Sequence, residues 1–261
     1  MTADGSKGTV LEARALRATH GQLVAVREVS LSLTRGEAVA LIGANGAGKT
    51  TLLRCLAGVH AAAGGQVCLD GEDVTAWPAH RRVKRGLALV PEGRRLFGDM
   101  TVRENLRVAD EHRGPRTAGA PRWTLERVLD ALPMLAGILE RPAAALSGGQ
   151  RQAAAIARAL MTDPEVLLLD EVSLGLSPLV VEEVYANLRQ LRQAAGTTLL
   201  LVEQDLSRAL AFADRVVCLR EGRVVLEARC GDVSRAQVTE AYFGVAHDAA
   251  PSSVSLQEIP A

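Results

Sequence analysis

The sequence has few lysines and no long apolar stretch. Lysine occurs only at Lys7, Lys49 and Lys84 among 30 basic residues, and 30 acidic residues leave a formal net charge of zero. A neutral chain has no basic field of the kind that attracts nucleic acid. No apolar run exceeds five residues, far short of the roughly 18 that span a bilayer, and the N-terminus lacks a signal-type apolar segment. We therefore predict a soluble cytoplasmic protein without a nucleic-acid partner.

Cysteine is also scarce. The four cysteines, Cys55, Cys68, Cys218 and Cys230, are scattered along the chain. This spacing is neither a disulfide framework nor a zinc pattern, so we expect four small buried side chains. The 261 residues, 48% of them hydrophobic, allow a packed core in one large domain or two small ones.

Short apolar runs alternate with helical patterns, which is typical of an α/β core with a parallel sheet. The runs predict strands at 38–42, 87–90, 166–169 and 199–202. Two further runs, 216–219 and 224–226, flank a turn and predict an antiparallel addition to that sheet.

The remaining segments predict the domain boundaries. The pattern is helical from about 92 to 160, apart from a polar loop at 114–121, and this predicts an inserted helical subdomain. Residues 1–8 and 245–261 are small, polar and aperiodic, so we expect flexible tails. Together these boundaries predict a single domain at 9–244.

A glycine-rich loop lies between a predicted strand and a predicted helix. Residues 43–50, GANGAGKT, have the P-loop spacing of Gly, four residues, then Gly-Lys-Thr. Its backbone N–H groups and the following helix N-terminus favour phosphate, Lys49 reaches the β- and γ-phosphates, and Thr50 ligates Mg²⁺. A glycine-rich turn without a ligand is the alternative. The candidate nucleotide-binding residues are Gly43, Asn45, Gly46, Ala47, Gly48, Lys49, Thr50 and Thr51.

A second candidate phosphate site begins another helix. Residues 146–150, LSGGQ, precede a helical stretch, and Ser147 is a natural N-cap. Each glycine costs about 1 kcal/mol inside a helix, so a close backbone approach to another group explains two of them better than capping alone, and the Ser and Gly N–H donors would act together on one phosphate. The candidate residues are Ser147, Gly148, Gly149 and Gln150.

Two acids end a predicted strand. Asp170 and Glu171 follow four apolar residues, at the carboxyl end of a strand, where open α/β sheets bind their ligands. Because neighbouring strand residues point to opposite faces, the two acids have different roles unless the strand has ended. Two solvent-facing acids are the alternative interpretation.

These motifs resemble those of one family. Residues 146–150 match the signature sequence of ABC-transporter ATPases, and 167–171, LLLDE, resemble their Walker B strand. The resemblance implies a head-to-tail dimer in which Ser147 and Gly149 cover the ATP bound by the partner. It also implies that Asp170 holds Mg²⁺ and that Glu171 is the base that activates water. Residues 173–176 resemble the loop that links the two sites, although Val172 stands where the family usually has proline.

Three further positions depart from most of the family. Glu92 stands where relatives have the glutamine of a loop that senses Mg²⁺ and contacts the membrane subunit, and its carboxylate can still bind the metal. Gln204 replaces the switch histidine; an amide can bond a γ-phosphate but does not titrate near pH 6.5. His20 stands where relatives stack an aromatic ring on adenine. An exposed acid, a strand-end amide and a surface histidine are the alternatives.

Glu92 and Gln204 together resemble one branch, the ATP-binding subunits of importers for branched-chain amino acids. This implies ATP hydrolysis that drives import through permease subunits. The implied partners are those permeases, a second ATPase of the same or a related chain and, indirectly, a periplasmic solute-binding protein. It also implies a position on the inner face of the cell membrane. Alternatives are the ATPase of a urea or amide importer, that of a lipid or polysaccharide exporter, a non-transport ABC ATPase, and a protein that binds ATP without turnover. Matching segments are 91–95, 101–106, 173–178, 202–204 and 241–244.

Overall fold

The structure is a computed structural model that describes residues 8–114 and 123–244. The predicted tails, except Gly8, and the predicted loop, except Gly114, lie outside the described residues. The strands are β1 Thr9–His20, β2 Leu23–Thr34, β3 Ala38–Ile42, β4 Gly64–Leu69, β5 Glu72–Asp73, β6 Leu87–Val90, β7 Val166–Asp170, β8 Thr198–Val202, β9 Arg215–Arg220 and β10 Arg223–Arg229. The helices are α1 Lys49–Leu56, α2 Ala79–Lys84, α3 Val102–Glu111, α4 Leu125–Ala131, α5 Gly148–Leu160, α6 Pro178–Ala195, α7 Leu206–Phe212 and α8 Arg235–Phe243.

A six-stranded sheet forms the centre of the fold, in the order β10-β9-β3-β8-β7-β6. Its strands are parallel except β10, which pairs antiparallel with β9. The predicted α/β class and the antiparallel addition are thereby confirmed. Two predicted strands, 38–42 and 87–90, agree with β3 and β6, and the other two gain one residue each, Asp170 in β7 and Thr198 in β8.

A second sheet, antiparallel throughout, has the order β2-β1-β4-β5. This sheet was not predicted from the sequence. The two long strands carry many exposed polar residues, and their pairing is interrupted by register shifts. Ala15 and Glu28 have left-handed backbone, with φ of 46° and 56°. These irregularities break the two-residue period in the middle of each strand, whereas residues 29–33, VSLSL, alternate between buried and exposed and were a strand signal left unused.

The core consists of two layers, one on each face of the six-stranded sheet. Ala38, Ala40 and Ile42 of β3 face the layer that contains α5 and α6. The alternate residues, Val39 and Leu41, face the layer of α1 and the antiparallel sheet. Burial on both faces explains why this sheet has continuous apolar strands. It also fixes the positions of the loops that follow those strands.

The described elements between β6 and β7 are helical. They comprise α3, α4, α5 and two 3₁₀ turns, Pro133–Ile138 and Ala143–Ala145. A capping box between Thr101 and Glu104 begins α3, and the buried Asn105 side chain bonds the backbone of the preceding loop. Among the described helices, none has the length and apolarity needed to cross a membrane.

The cysteines are free thiols in the described structure. Cys55, Cys68 and Cys218 are buried as predicted, and burial raises the pKa of Cys55 and of Cys218 to about 11. Cys230 is only half-buried, so the expectation of burial was wrong there. It directly follows β10, whose side chains alternate between exposed and half-buried at the sheet edge.

Candidate functional site

The site lies at the carboxyl ends of four adjacent strands, β3, β8, β7 and β6. Gly43 follows β3, Gln204 follows β8 after one residue, Asp170 ends β7, and Glu92 follows β6 after one residue. Parallel strands present their carboxyl ends at one edge of the sheet, where α/β folds bind ligands. The sheet order therefore brings together four segments that are far apart in the sequence.

The glycines of the P-loop have different structural reasons. Gly43 and Gly48 have φ of 148° and 102°. A Cβ on Gly43 would lie 2.1 Å from the carbonyl oxygen of Leu219, and one on Gly48 would lie 2.3 Å from that of Ala25. Gly46, with φ of 80°, has open space where its side chain would be. The outer glycines are thus required by the fold, and the central one lies on the open side of the loop.

Lys49 lies inside this loop and is only 4% exposed. Its Nζ donates hydrogen bonds to the carbonyl oxygens of Gly43, at 2.7 Å, and Ala44, at 3.0 Å. Burial lowers the pKa of Lys49, while the nearby charges of Glu171 and Asp170 act in the opposite direction. The predicted cation and the two predicted acids therefore share one electrostatic environment.

Thr50 and Asp170 are in direct contact. The Thr50 hydroxyl donates to Asp170 Oδ1 at 3.0 Å. Asp170 is 1% exposed, and its Oδ2 is a buried oxygen with no hydrogen-bond partner. Burial raises the pKa of Asp170, and Glu171 and Glu92 raise it further. A buried carboxylate oxygen without a partner is costly, and a cation is one group that relieves this cost.

These oxygens fit a hard cation such as Mg²⁺. That ion prefers oxygen ligands, takes only one or two of them from carboxylates, and completes its shell with phosphate and water. Within the described residues, no group of three His, Cys, Asp or Glu side chains converges as a metal site. Thr50 and Asp170 therefore suit an ion that arrives with a phosphate ligand. Glu92 is exposed at the same edge of the sheet.

Glu171 differs from its neighbour because β7 ends at Asp170. Glu171 is half-buried and has left-handed backbone, with φ of 49°. Such a conformation costs a residue other than glycine roughly 1–3 kcal/mol and is common at functional sites. Because β7 has ended before Glu171, the alternation of side chains along a strand does not by itself give Asp170 and Glu171 opposite directions.

The LSGGQ segment begins α5 as predicted. The Ser147 hydroxyl accepts from the Gln150 amide at 3.3 Å, and Gln150 Oε1 accepts from the Ser147 amide at 3.0 Å. A Cβ on Gly149 would lie 2.5 Å from Val180 Cγ1, whereas one on Gly148 would lie 3.3 Å from Leu176 Cδ2. The predicted close approach at Gly149 is thus present within the subunit, to Val180 of α6, and the phosphate contact of both glycines stays a prediction.

His20 lies beside the P-loop helix. Its Nε2 is 3.0 Å from the Thr51 hydroxyl, and its ring centroid is 4.6 Å from that of His60. The structure thus brings the predicted residues His20 and Thr51 together on the surface. Asn45 and Gln204 are exposed, and Ala47 is buried, with its amide donating to the Ala44 carbonyl at 3.1 Å.

Two residues near the site were not predicted. Glu203, 1% exposed, accepts hydrogen bonds from Ser173, Tyr185 and Arg208. The signal in the sequence was an acid directly after the apolar strand 199–202. Arg94 donates to Gln152 Oε1 at 3.1 Å and to the Leu174 carbonyl at 3.3 Å. Its signal was a second charged position in the same PEGRR segment as Glu92.

Arg158 of α5 holds the loop that contains Glu92. It donates to the carbonyl oxygens of Arg95, at 2.7 Å, and Arg94, at 3.2 Å. Both of these residues have left-handed backbone, with φ of 50° and 65°. The guanidinium therefore bonds consecutive carbonyls of a strained turn and fixes the loop against the helix that LSGGQ begins.

A P-loop after the first parallel strand, and a buried aspartate bonded to its threonine, define a P-loop nucleotide-binding domain. The ABC transporter family model matches residues 26–173. BraG, a high-affinity branched-chain amino acid transport ATP-binding protein of Pseudomonas aeruginosa, is 39% identical over 232 residues, 86% of this chain and 95% of BraG. A probable branched-chain amino acid transport ATP-binding protein, LivF of Archaeoglobus fulgidus, is 35% identical over 218 residues, 84% of this chain and 91% of LivF. The chain belongs to the ABC transporter family.

Solved structures agree with this assignment. The nucleotide-free ATP-binding cassette of an ABC transporter has a TM-score of 0.78 and 26% identity, covering 90% of this chain and 99% of that one. The dimeric structure of a bacterial ABC transporter cassette has a TM-score of 0.73 and 26% identity, covering 84% and 98%. The predicted fold class, and the prediction of an ATP-hydrolysing subunit that serves transport, are confirmed.

Proposed function

We propose that Glu171 is the base in ATP hydrolysis by this chain, and that the hydrolysis energises the import of branched-chain amino acids. The observation that carries the assignment is the division of labour between neighbouring acids. Asp170 is buried and bonded to Thr50, whereas Glu171 lies beyond the strand end and near Lys49. A carboxylate in that position is suited to accept a proton from an attacking water, which contributes about 10² to 10⁴ in rate.

The P-loop residues bind ATP in this scheme. Lys49 and the loop amides of 43–51 hold the phosphates, Gln204 hydrogen-bonds the γ-phosphate without titrating, and His20 lies against the adenine. Thr50 and Asp170 would hold Mg²⁺, with Glu92 at the end of the neighbouring strand, and the ion would supply positive charge to the phosphate oxygens. Support comes from the partnerless Oδ2 of Asp170 and from the order of the strands.

The ATP sites are shared between two subunits. Ser147, Gly148, Gly149 and Gln150 act on the nucleotide of the partner. Two observations support this: the described residues contain no hydrogen bond between LSGGQ and the P-loop, and a similar cassette is dimeric in its solved structure. The second ATPase is a copy of this chain or a related one.

The helical segment at about 92–160 acts as a subdomain that transmits closure to membrane permeases on the inner face of the cell membrane. Phe97 and Met100 support this role because they are large apolar side chains exposed beside the Glu92 loop. Exposed apolar groups of this kind are typical of protein contacts. Glu92→Gln should then retain ATP hydrolysis and reduce transport for each ATP consumed.

The substrate class rests on similarity to BraG and LivF, together with Glu92 and Gln204. The test is affinity purification of this chain from its native membrane, followed by identification of the proteins bound to it. Two permeases, a second ATPase and a periplasmic amino-acid-binding protein are expected, and the reconstituted complex should import radiolabelled leucine. The Glu171→Gln complex is the matched control and should assemble without import. Import of urea, export of lipid, or purely soluble partners would contradict the proposal.

A further inference from the structure

Glu203 is a buried carboxylate that the proposed mechanism leaves without a role. It directly follows β8 and directly precedes Gln204, and its side chain is 1% exposed. Burying a carboxylate is costly unless hydrogen bonds and a positive charge compensate it. Glu203 has both, because two hydroxyl groups and one guanidinium donate to it.

The three donors come from three different segments. Ser173 Oγ donates at 2.9 Å to Oε2 and lies 3.1 Å from Oε1. The Tyr185 hydroxyl of α6 donates to Oε2 at 2.9 Å, and Arg208 of α7 donates to Oε1 at 3.0 Å. The backbone amide of Glu203 also donates to the Leu41 carbonyl of β3, at 3.2 Å. One residue thus links the strand before the P-loop, two helices and the segment after β7.

Two of these donors are held firmly by other contacts. Tyr185 is buried, its ring packs edge-on against Phe212 at 5.1 Å, and burial, followed by the charge of Glu203, raises the pKa of its hydroxyl. Arg208 also faces Asp205, with Nη2 3.6 Å from Oδ2. Because Tyr185 bonds Oε2 and Arg208 bonds Oε1, each carboxylate oxygen has a donor besides Ser173.

The Ser173 bond is different because it restrains a loop. Ser173 lies two residues after Glu171, in a loop where Glu171 and Gly175 have φ of 49° and 69°. Glu203 is covalently joined to Gln204. Two residues of backbone, one hydrogen bond from Ser173 to Glu203 and one peptide bond therefore connect Glu171 to Gln204. This connection joins the proposed base to the residue proposed to contact the γ-phosphate.

We propose that Glu203 is a positioning residue that fixes Glu171 and Gln204 relative to each other through its hydrogen bond with Ser173. The inference rests on the proposed function, because it takes the roles of Glu171 and Gln204 from it. Glu203 is buried and bonded by three protein donors, so it acts through the residues beside it. Its effect is on the fraction of bound ATP that meets a correctly placed base, so it changes kcat rather than ATP binding.

The test compares two hydroxyl groups that bind the same carboxylate. Ser173→Ala removes the donor in the loop, and Tyr185→Phe removes the donor in the helix. Ser173→Ala is expected to lower kcat about tenfold, the size of effect typical for losing a hydrogen bond to a charged group, with KM for ATP unchanged. Ser173→Thr should restore kcat. Tyr185→Phe should keep kcat within about twofold while lowering the thermal unfolding midpoint more than Ser173→Ala, because Tyr185 is fully buried.

A purely structural role for Glu203 predicts that kcat falls only as far as thermal stability falls, in both variants alike. Equal losses of kcat in the two variants would overturn the inference. So would a loss of kcat in Ser173→Ala that is fully explained by a lower thermal unfolding midpoint of that variant. Glu171→Gln, assayed in parallel, tests the proposed function separately. If Glu171→Gln retains hydrolysis, the assignment of the base fails; if it is inactive while Ser173→Ala is fully active, the role of Glu203 alone fails.

Discussion

Gly149 of the LSGGQ segment packs directly against Val180 of α6. A Cβ on Gly149 would stand 2.5 Å from Val180 Cγ1, closer than two carbon atoms can approach, whereas the space beside Gly148 is less restricted. The proposed phosphate-binding segment is therefore packed against α6, the helix that follows the loop after β7. This contact within the subunit couples the position of LSGGQ to the position of α6.

This contact predicts the behaviour of a double variant. Gly149→Ala should lower the free energy of unfolding by about 1–3 kcal/mol through overpacking, and Val180→Ala in the same chain should recover most of that loss. Urea unfolding of the two single variants and the double variant measures the interaction energy. Gly148→Ala is the matched control and should destabilise less. Additive effects of Gly149→Ala and Val180→Ala would contradict the packing explanation.

Substitution of two adjacent threonines tests the proposed metal site apart from the rest of the P-loop. Thr50 bonds Asp170 beside the partnerless Oδ2, whereas Thr51 bonds His20 on the surface. Thr50→Val should raise the Mg²⁺ concentration for half-maximal ATP hydrolysis at least about tenfold, since it removes a metal ligand. Thr51→Val has the same shape change and should leave that concentration unchanged. Equal shifts in a Mg²⁺ titration of the two variants would reject the assignment.

Glu171→Gln should separate hydrolysis from dimerisation. The amide keeps the shape but cannot accept a proton, so hydrolysis should fall by about 10² to 10⁴ while ATP binding persists. With Mg²⁺ and ATP the variant should elute as a dimer in size-exclusion chromatography, and EDTA should return it to a monomer. An ATP-bound monomer at every protein concentration would refute the shared-site arrangement.

Arg158 should control the mobility of the Glu92 loop. The Arg158 guanidinium bonds the Arg95 and Arg94 carbonyls through two separate nitrogens, Nη1 and Nη2, in a rigid fork that the flexible ammonium of a lysine does not reproduce. Arg158→Lys is expected to speed amide hydrogen exchange at 93–97 about tenfold or more. Arg151→Lys, on the same helix but bonded to the Leu146 carbonyl, is the control. Unchanged exchange in both variants would show that the loop is held by other contacts.

Gln204→His should introduce a pH dependence. An imidazole titrates near pH 6.5, whereas the amide has no proton to gain or lose in this range. The ratio of variant to wild-type kcat should therefore change between about pH 5.5 and 7.5, while both proteins retain hydrolysis at pH 8. A constant ratio across that range would place Gln204 away from the γ-phosphate.

The central sheet was predictable because strands that are buried on both faces have continuous apolar runs in the sequence. β3 and β6 agree with their apolar runs to the residue. The antiparallel sheet was missed because register shifts interrupt the period over most of β1 and β2, and the regular alternation at 29–33 is only five residues long. Sequence patterns predict strands well where the apolar residues form an uninterrupted run.

The site was predictable where a motif carries its own chemistry, as in Lys49 and Asp170. Glu203 was not, although its neighbour Gln204 was singled out. Its importance comes from donors 30 and 18 residues earlier in the chain, Ser173 and Tyr185, and no spacing rule joins them. The reason for Gly149 is likewise a side chain on another helix, which only the packed structure reveals.

The order of strands also has a consequence for how the protein is made. β8 lies between β3 and β7 in the sheet, although β3 and β7 both precede it in the chain. A nascent chain that has not yet emerged beyond Val202 has a gap in the middle of its sheet. Because chains emerge from the ribosome N-terminus first, we expect the P-loop and Asp170 to come together only after β8 has been synthesised. Truncated products of interrupted synthesis should therefore be unable to consume ATP.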